Sequence, residues 1–397
     1  MLLIKYYPLR PTNFVLSQYL WTMELGNFRR SVLSTLAGLA WNHDPARFLP
    51  VVDLMSLIEM AGLALALAWG AVRLAGRPVP RLALLLVLCS GAASHLVATR
   101  GSQDGFAALA LIGFAAALDR RLALAAALLG ALAVSIHEAS IAYVASLCGL
   151  HLLLTGVGTR ESWRETARRI GYPQMRPVLA GGAAAIAILV GVMTGSHLSP
   201  GVVDEVCRTH AWIASVGSLD ALRSLQSETP AQDWAGSCGL QFKAFDSTLG
   251  FFLRSVPVGA LFAPVTLLAV LLAIRARLPG WQRFGIAASL LLPTLLPLIA
   301  TDVTRFWSYT NLTALYGIVL LQPHLQGFGR VSVRGLFGGV LALWALVAIG
   351  VDQWPTGWPQ PPSALPSAIA QRLPTFRDVL CSASQQGACA RPMTNFH

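Results

Sequence analysis

The sequence predicts an all-α fold, a polytopic membrane helical bundle of about ten transmembrane helices. Three observations lead to this class. Of the 397 residues, 55% are hydrophobic and 12% are charged, and the mean hydropathy is +0.60. Apolar runs recur along the chain, and short arginine-rich stretches separate many of them. A soluble domain of this length needs no such composition, whereas a bundle embedded in lipid does.

Residues 1–53 are predicted to form an external or interfacial segment. Apolar residues from Val32 to Ala40 recur at helical spacing, which indicates an amphipathic helix lying at the membrane surface. The segment lacks the pattern of a secretory signal peptide. Two interpretations of its external position stay open: a stretch near residues 14–25 re-enters the membrane, or a leading helix precedes it.

The apolar runs that follow are predicted to cross the membrane within a bundle of residues 54–351. Their approximate limits are 54–72, 82–98, 105–118, 122–136, 139–157, 177–195, 255–275, 285–300, 306–322 and 335–351. A long external loop at 196–254 interrupts the bundle, and it is either a lid packed on the helices or a cover over an acceptor site. An external tail, 352–397, completes the chain.

The distribution of arginine predicts the orientation. Arginines cluster near residues 73–81, 158–176, 275–283 and 330–334, and these loops fall on one side if the spans alternate. That side is predicted to be cytoplasmic, so the chain is expected in a bacterial inner membrane. The net charge of +11 thus belongs to membrane loops. No basic, aromatic-interleaved patch is present to bind nucleic acid.

Cysteine positions agree with this orientation. Two of the six cysteines lie inside predicted spans, where they are expected to be small buried residues. The other four fall in the external segments and are expected to form disulfides, as in a bacterial periplasm. Local pairing joins Cys207 to Cys238 and Cys381 to Cys389, with cross-pairing as the alternative. No spacing resembles a zinc site, and no metal or cofactor is expected.

A predicted helical hairpin at 100–140 gathers several polar residues at one membrane face. Two short apolar runs meet at the charged turn Asp119–Arg121. The hairpin therefore places at its other, external end the residues that flank the runs: Arg100, Asp104, His137 and Glu138. A cation, two carboxylates and an imidazole at one interface form a candidate reaction site.

Further charged residues are candidates for the same face. Asp302 and Arg305 are spaced i,i+3 after a span interrupted by two prolines, and distorted helices often line cavities. Arg30 begins the amphipathic helix. Simpler interpretations exist for each: Asp302 and Arg305 neutralise each other, Arg30 anchors a surface helix, and Arg100 snorkels.

The stretch 100–140 resembles a segment of the Wzy/EpsG-type bacterial polysaccharide polymerases. Its pattern is R-x-x-Q-D, a short apolar run, a basic turn, a second run and I-H-x-x-S. Residues 28–33 are similar to an F-x-R-R-G-L segment of their relatives, with Ser31 at the glycine position and one residue fewer before the arginines. The resemblance covers roughly 26–155. It implies a GT-C-like membrane glycosyltransferase that uses polyprenyl-diphosphate-linked sugar chains, with no nucleotide sugar and often no metal.

The chemistry of glycosyl transfer suits the catalytic candidates. Attack of a sugar hydroxyl on an anomeric carbon needs a base beside the hydroxyl. His137, assisted by Glu138 or Asp104, is therefore the candidate base or orienting group.

A leaving diphosphate needs cations, and the planar fork of arginine binds phosphate oxygens in a bidentate way. Arg100 and Arg305 are the candidate diphosphate clamps. Arg30 is a weaker third cation, and Asp302 completes the substrate-binding set.

The resemblance thus implies a polymerase of surface polysaccharide assembly, and the predicted orientation places its action at the periplasmic face. Its expected partners are a polyprenyl-diphosphate-linked oligosaccharide, the lipid bilayer and other polysaccharide-assembly proteins. Other classes stay open: a transporter or flippase, a membrane acyltransferase centred on His137, or a subunit without a site of its own.

Overall fold

The computed structural model describes residues 19, 31–42, 44–89, 103–155, 172–195, 263–298, 303–325, 335 and 338–341. The regular elements in this part of the chain are all helical. The α-helices are α1 Ser31–Trp41, α2 Pro45–Arg73, α3 Pro78–Cys89, α4 Gln103–Asp119, α5 Ala123–Ile136, α6 Ser140–Thr155, α7 Tyr172–Gly195, α8 Pro264–Arg275, α9 Gly280–Leu291 and α10 Val303–Leu321. Two 3₁₀ helices are present, Leu292–Leu298 and Gln322–Leu325.

The all-α prediction is confirmed for these residues, but a ten-span bundle is not. Each predicted span from 54–72 to 306–322 contains at least part of a helix. Of the helices searched, only Pro50–Arg73 within α2 is long and apolar enough to cross a membrane by length and composition. The shorter apolar helices have 10–17 residues, or roughly 15–26 Å at the α-helical rise, less than a hydrocarbon core of about 30 Å.

Chain contacts divide the protein into two compact units. The first comprises Met1–Trp69, Thr99–Val144 and Arg176–Ala244, and the second comprises Gly70–Ala98, Ala145–Met175 and Phe245–His397.

The first unit is built on the hairpin of α4 and α5. Helix α1 adds to it through Leu33, which packs with Ala107 and Ile136. Helix α7 approaches α5 closely at Gly130 and Gly181: a Cβ added at Gly130 would lie only 3.0 Å from the Gly181 carbonyl oxygen. Small residues therefore allow these helices to pack backbone against backbone.

In the second unit, α3, α8, α9 and α10 contribute to one apolar core. Polar contacts join its helices. Ser146 Oγ donates to the Ser289 carbonyl oxygen at 2.6 Å, and Gln282 Nε2 donates to the Leu153 carbonyl oxygen at 2.9 Å. His151 Nδ1 lies 2.9 Å from the Tyr316 hydroxyl. His151 thus has a structural hydrogen-bond partner.

Helix α2 starts earlier than the predicted span. It begins at Pro45, a residue suited to the first helical position because its fixed φ matches the helix. The preceding Asp44 accepts a hydrogen bond from the backbone N–H of Arg47 and forms a 3.1 Å ion pair with its side chain. The predicted boundary between residues 53 and 54 therefore falls inside one continuous helix.

Helix α1 is present where the apolar spacing predicts it, but its inward face differs. Leu33, Ser34, Ala37 and Trp41 are buried, whereas Leu36 and Leu39 are exposed. The inward face includes Ser34 because its hydroxyl accepts a hydrogen bond from Gln103 on α4.

The turn between α4 and α5 explains how so short a hairpin closes. The N–H of Leu122 donates to the carbonyl oxygen of Ala117 at 2.9 Å, and the N–H of Arg121 donates to the carbonyl oxygen of Leu118 at 3.0 Å. This is a Schellman motif, in which Arg121 adopts a left-handed φ of 58°. Glycine is the usual residue at that position because it lacks a Cβ.

Arg121→Gly is therefore expected to raise the free energy of unfolding, by up to about 1 kcal/mol. The control, Arg120→Gly, makes the same charge change one residue earlier, where φ is not positive. It is expected to lower stability by about 0.5–1 kcal/mol. Thermal unfolding in detergent compares the two, and a less stable Arg121→Gly variant would contradict the role given to this turn.

Candidate functional site

The hairpin brings Asp104 and His137 together. Asp104 lies in the first turn of α4, and His137 follows the last residue of α5. His137 Nε2 is 3.7 Å from Asp104 Oδ1, and Nδ1 is 3.7 Å from Glu138 Oε2. These distances exceed those of direct hydrogen bonds but place two carboxylates beside one imidazole. The side chains of Asp104 and His137 are 2% and 5% exposed, and that of Glu138 is 19% exposed.

His137 occupies a break between two helices. Its backbone is extended, with φ −148° and ψ 115°, while its N–H still donates to the Ala133 carbonyl oxygen. Its own carbonyl oxygen accepts the N–H of Ser140, where α6 begins. The backbone of His137 is therefore hydrogen-bonded on both sides, to α5 and to the start of α6.

The hydrogen bonding of the ring assigns its tautomer. Nδ1 accepts the N–H of Ala139 at 3.2 Å, so the proton of a neutral ring resides on Nε2 and points toward Asp104. In this arrangement the Asp104 carboxylate faces the N–H of the ring and orients it, and the other ring nitrogen keeps a lone pair. That nitrogen lies on the side of Glu138, the most exposed of the three side chains.

The start of α4 suits buried negative charge. Unpaired backbone N–H groups and the helix dipole make a helix N-terminus favourable for a carboxylate. The neighbouring Gln103, 1% exposed, donates from Nε2 to Ser34 Oγ at 2.8 Å. This bond attaches α1 to the first turn of α4.

Helix α2 contributes a carboxylate that the sequence analysis missed. Glu59 is fully buried, and its carboxylate packs on Gly105, where an added Cβ would overlap it. Burial, and secondly the charge of Glu59, raise the pKa of Tyr19, so this phenol stays neutral. A signal was present, because Glu59 is the single charged residue of the run 54–72.

The predicted site residues divide into two groups. Asp104, His137 and Glu138 are brought together as the hairpin predicts, and their catalytic roles stay predictions. Arg305 belongs to α10, and its side chain is outside the described residues. The remaining predicted residues also lie outside them: Arg30, Arg100, Asp302 and the external cysteines Cys207, Cys238, Cys381 and Cys389.

Within the described ranges, no group of three or more His, Cys, Asp or Glu side chains is arranged to hold a metal ion.

The contact between Glu59 and Gly105 yields a stability prediction. Gly105→Ala gains helix propensity worth about 1 kcal/mol, but the methyl group displaces a buried carboxylate, and overpacking costs about 1–3 kcal/mol. We therefore expect a lower unfolding temperature. Gly182→Ala is the control, because a Cβ there meets nothing within 4 Å, and it should be neutral or stabilising.

A second background separates the two effects. When Glu59→Ala is already present, Gly105→Ala should no longer destabilise, so the two substitutions are expected to be non-additive in a double-mutant cycle. Additive effects of the two substitutions would show that the side chain and the glycine are not in contact.

Comparison with protein-family models, curated proteins and solved structures finds no match to this chain.

Proposed function

We propose that this protein is a membrane glycosyltransferase that polymerises or extends polyprenyl-diphosphate-linked glycans at the periplasmic face of a bacterial inner membrane. The observation that carries the proposal is the buried Asp104–His137 pair at the end of a short apolar hairpin. An oriented histidine with a lone pair on its more open side suits removal of a proton from a hydroxyl.

A lipid environment is supported by the outer surface of α2. Leu57, Leu65 and Val72 are 57%, 72% and 77% exposed, while Glu59 on the same helix is buried. An apolar surface of this kind is stable against hydrocarbon and unfavourable against water. The ten-helix GT-C-like bundle, with its external loop and tail, belongs to this proposal.

The reaction follows from the assigned tautomer. The acceptor hydroxyl exchanges with the Ala139 N–H at His137 Nδ1, which takes the hydroxyl proton as the oxygen bonds to the anomeric carbon. The bond from that carbon to the diphosphate oxygen breaks, and the diphosphate leaves with its electron pair. Asp104 and Glu138 stabilise the imidazolium, one carboxylate beside each nitrogen. Arg100 and Arg305, with Arg30 and Asp302, are proposed to bind the diphosphate.

His137→Gln tests the base. Glutamine keeps a polar side chain but has no basic nitrogen, so product should fall by about 10²–10⁴-fold while lipid-linked substrate accumulates. The control is His151→Gln, a second buried histidine, in the other unit. Its product, normalised to protein abundance, should equal wild type.

Several outcomes would exclude this role. Near wild-type product from an abundant His137→Gln variant would remove His137 as the base. Loss of lipid-linked substrate from the periplasmic leaflet would instead indicate a flippase, and loss of an acyl group from the glycan would indicate an acyltransferase.

Lysine substitutions test the proposed diphosphate clamps. Arg100→Lys and Arg305→Lys keep the charge but lose the bidentate fork, so each should reduce product nearly as much as the alanine variant. Product is measured at matched protein levels in membranes supplied with lipid-linked oligosaccharide. Full product from both lysine variants would limit these arginines to a general electrostatic role.

A further inference from the structure

The turn between α8 and α9, in the second unit, presents two arginines on its outer side. Arg275 is the last residue of α8 and Arg277 lies two residues further on, and both side chains are exposed. The backbone of Ala276 between them is extended. Ala276 and Leu278 point inward and are 4% and 7% exposed. Because side chains alternate along extended backbone, this burial pattern places both arginines on the same side of the turn.

Hydrogen bonds hold this turn in place. The backbone N–H of Arg277 donates to the His324 carbonyl oxygen at 3.3 Å, which attaches the turn to the 3₁₀ helix after α10. Arg283, near the start of α9, donates from Nη1 to the Ile274 carbonyl oxygen at 3.1 Å. This bond satisfies a carbonyl group in the last turn of α8, where intrahelical donors are lacking. The two exposed arginines are therefore presented by a fixed turn, which lowers the entropic cost of binding a ligand.

The positive charge of the turn is unopposed within the part of the second unit that the structure describes. No aspartate or glutamate is among those residues. Arginines, in contrast, are numerous there: Arg73, Arg77, Arg81, Arg275, Arg277, Arg283 and Arg305. The turn therefore offers positive charge to an anion, and the planar guanidinium group binds phosphate oxygens in a bidentate way.

Exposed apolar side chains lie next to these cations. Ile274, in the last turn of α8, is 51% exposed, and Phe284, in α9, is 77% exposed. Phe284, Ala288 and Leu291 are all exposed and spaced i, i+4 and i+7, so they form one outward stripe along α9. Trp281 adds a partly buried aromatic ring of the kind enriched at membrane interfaces. Water solvates the arginines but not the stripe, so the surface suits a ligand with both an anionic and an apolar part.

We propose that the α8–α9 turn binds an anionic phospholipid, with the phosphate at Arg275 and Arg277 and an acyl chain along the stripe of Phe284, Ala288 and Leu291. A phospholipid combines the negative charge and the apolar chain that this surface fits, whereas a free phosphate or nucleotide supplies only the charge. The inference rests on the membrane setting of the proposed function and not on glycosyl transfer, so its tests measure lipid and not glycan.

Native mass spectrometry of the full-length protein, released from detergent with phosphatidylglycerol and phosphatidylcholine of identical acyl chains, measures the preference. Wild type should retain phosphatidylglycerol. Arg275→Gln combined with Arg277→Gln should reduce that preference about 30-fold, the scale of two basic residues at an anionic surface. The control, Arg120→Gln combined with Arg121→Gln, removes the same charge from the turn after α4, where the exposed carboxylate of Asp119 adjoins the arginines. It should change the preference by less than about two-fold.

A second variant leaves both arginines in place. A Cβ added at Gly280 meets nothing within 4 Å, and a carboxylate is favourable at the first position of a helix, so Gly280→Glu should fold. Its negative charge should reduce the retention of phosphatidylglycerol about five-fold, the scale of one charge at the surface. Gly280→Gln has the same size without the charge and should retain the lipid as wild type does.

A photoreactive phosphatidylglycerol locates the bound molecule. A diazirine in its acyl chain loses nitrogen on illumination, and the carbene that remains inserts into a nearby C–H bond. Peptide mass spectrometry should then find the lipid adduct on the segment from Phe284 to Leu291, and the adduct should be lost in Gly280→Glu.

Several results would overturn the inference. Equal retention of the two lipids by wild type would do so, as would a preference that survives both Gly280→Glu and the removal of Arg275 and Arg277. Displacement of the lipid by inorganic phosphate would indicate a site for free phosphate instead. A protein dimer that forms without lipid and is lost with the two arginines would assign the face to a second copy of the chain. Each of these results leaves the proposed glycosyl transfer unaffected, and a protein that makes no glycan product would leave the lipid measurements valid.

Discussion

Burial of polar groups at the first turn of α4 constrains the helices that pack against it. Gln103 and Asp104 are nearly inaccessible, and polar groups removed from water must find partners inside the protein. Helix α1 supplies Ser34, the end of α5 supplies His137, and α2 brings Glu59 against the adjacent glycine. Several elements far apart in sequence therefore converge on one helical turn, and the packing of each depends on that turn.

The sequence predicted the features that depend on local pattern. Long apolar runs and charged interruptions located most of the helices, and the spacing of the two short runs placed Asp104 beside His137. The face of α1 and the inward direction of Glu59 were not predicted, because each depends on a partner contributed by another helix. The early start of α2 was missed because a polar stretch that contains Pro45 precedes the apolar run, although proline suits the first position of a helix; Pro50 lies inside the helix.

The same contrast applies to the candidate site. Residue types and their positions on the hairpin suggested an acid, a base and cations, but not which imidazole nitrogen holds the proton. The assignment came from one backbone N–H, that of Ala139, whose direction follows from the break between α5 and α6. Local backbone geometry of this kind is invisible in a hydropathy pattern. The assignment also distinguishes the two ring nitrogens. Nε2 faces the buried Asp104 carboxylate, whereas Nδ1, near Glu138, carries the lone pair.

The bond between Ala139 N–H and His137 Nδ1 has a mechanical consequence. The same nitrogen serves as the capping acceptor of α6 and as a site that can be protonated. A proton on Nδ1 turns an acceptor into a donor, so the ring then repels the N–H that it held, and the first turn of α6 loses its anchor. A change in the charge of this imidazole is therefore expected to change how readily the first turn of α6 opens. The hydrogen-exchange rates of backbone amides at the start of α6 would therefore report the charge state of His137.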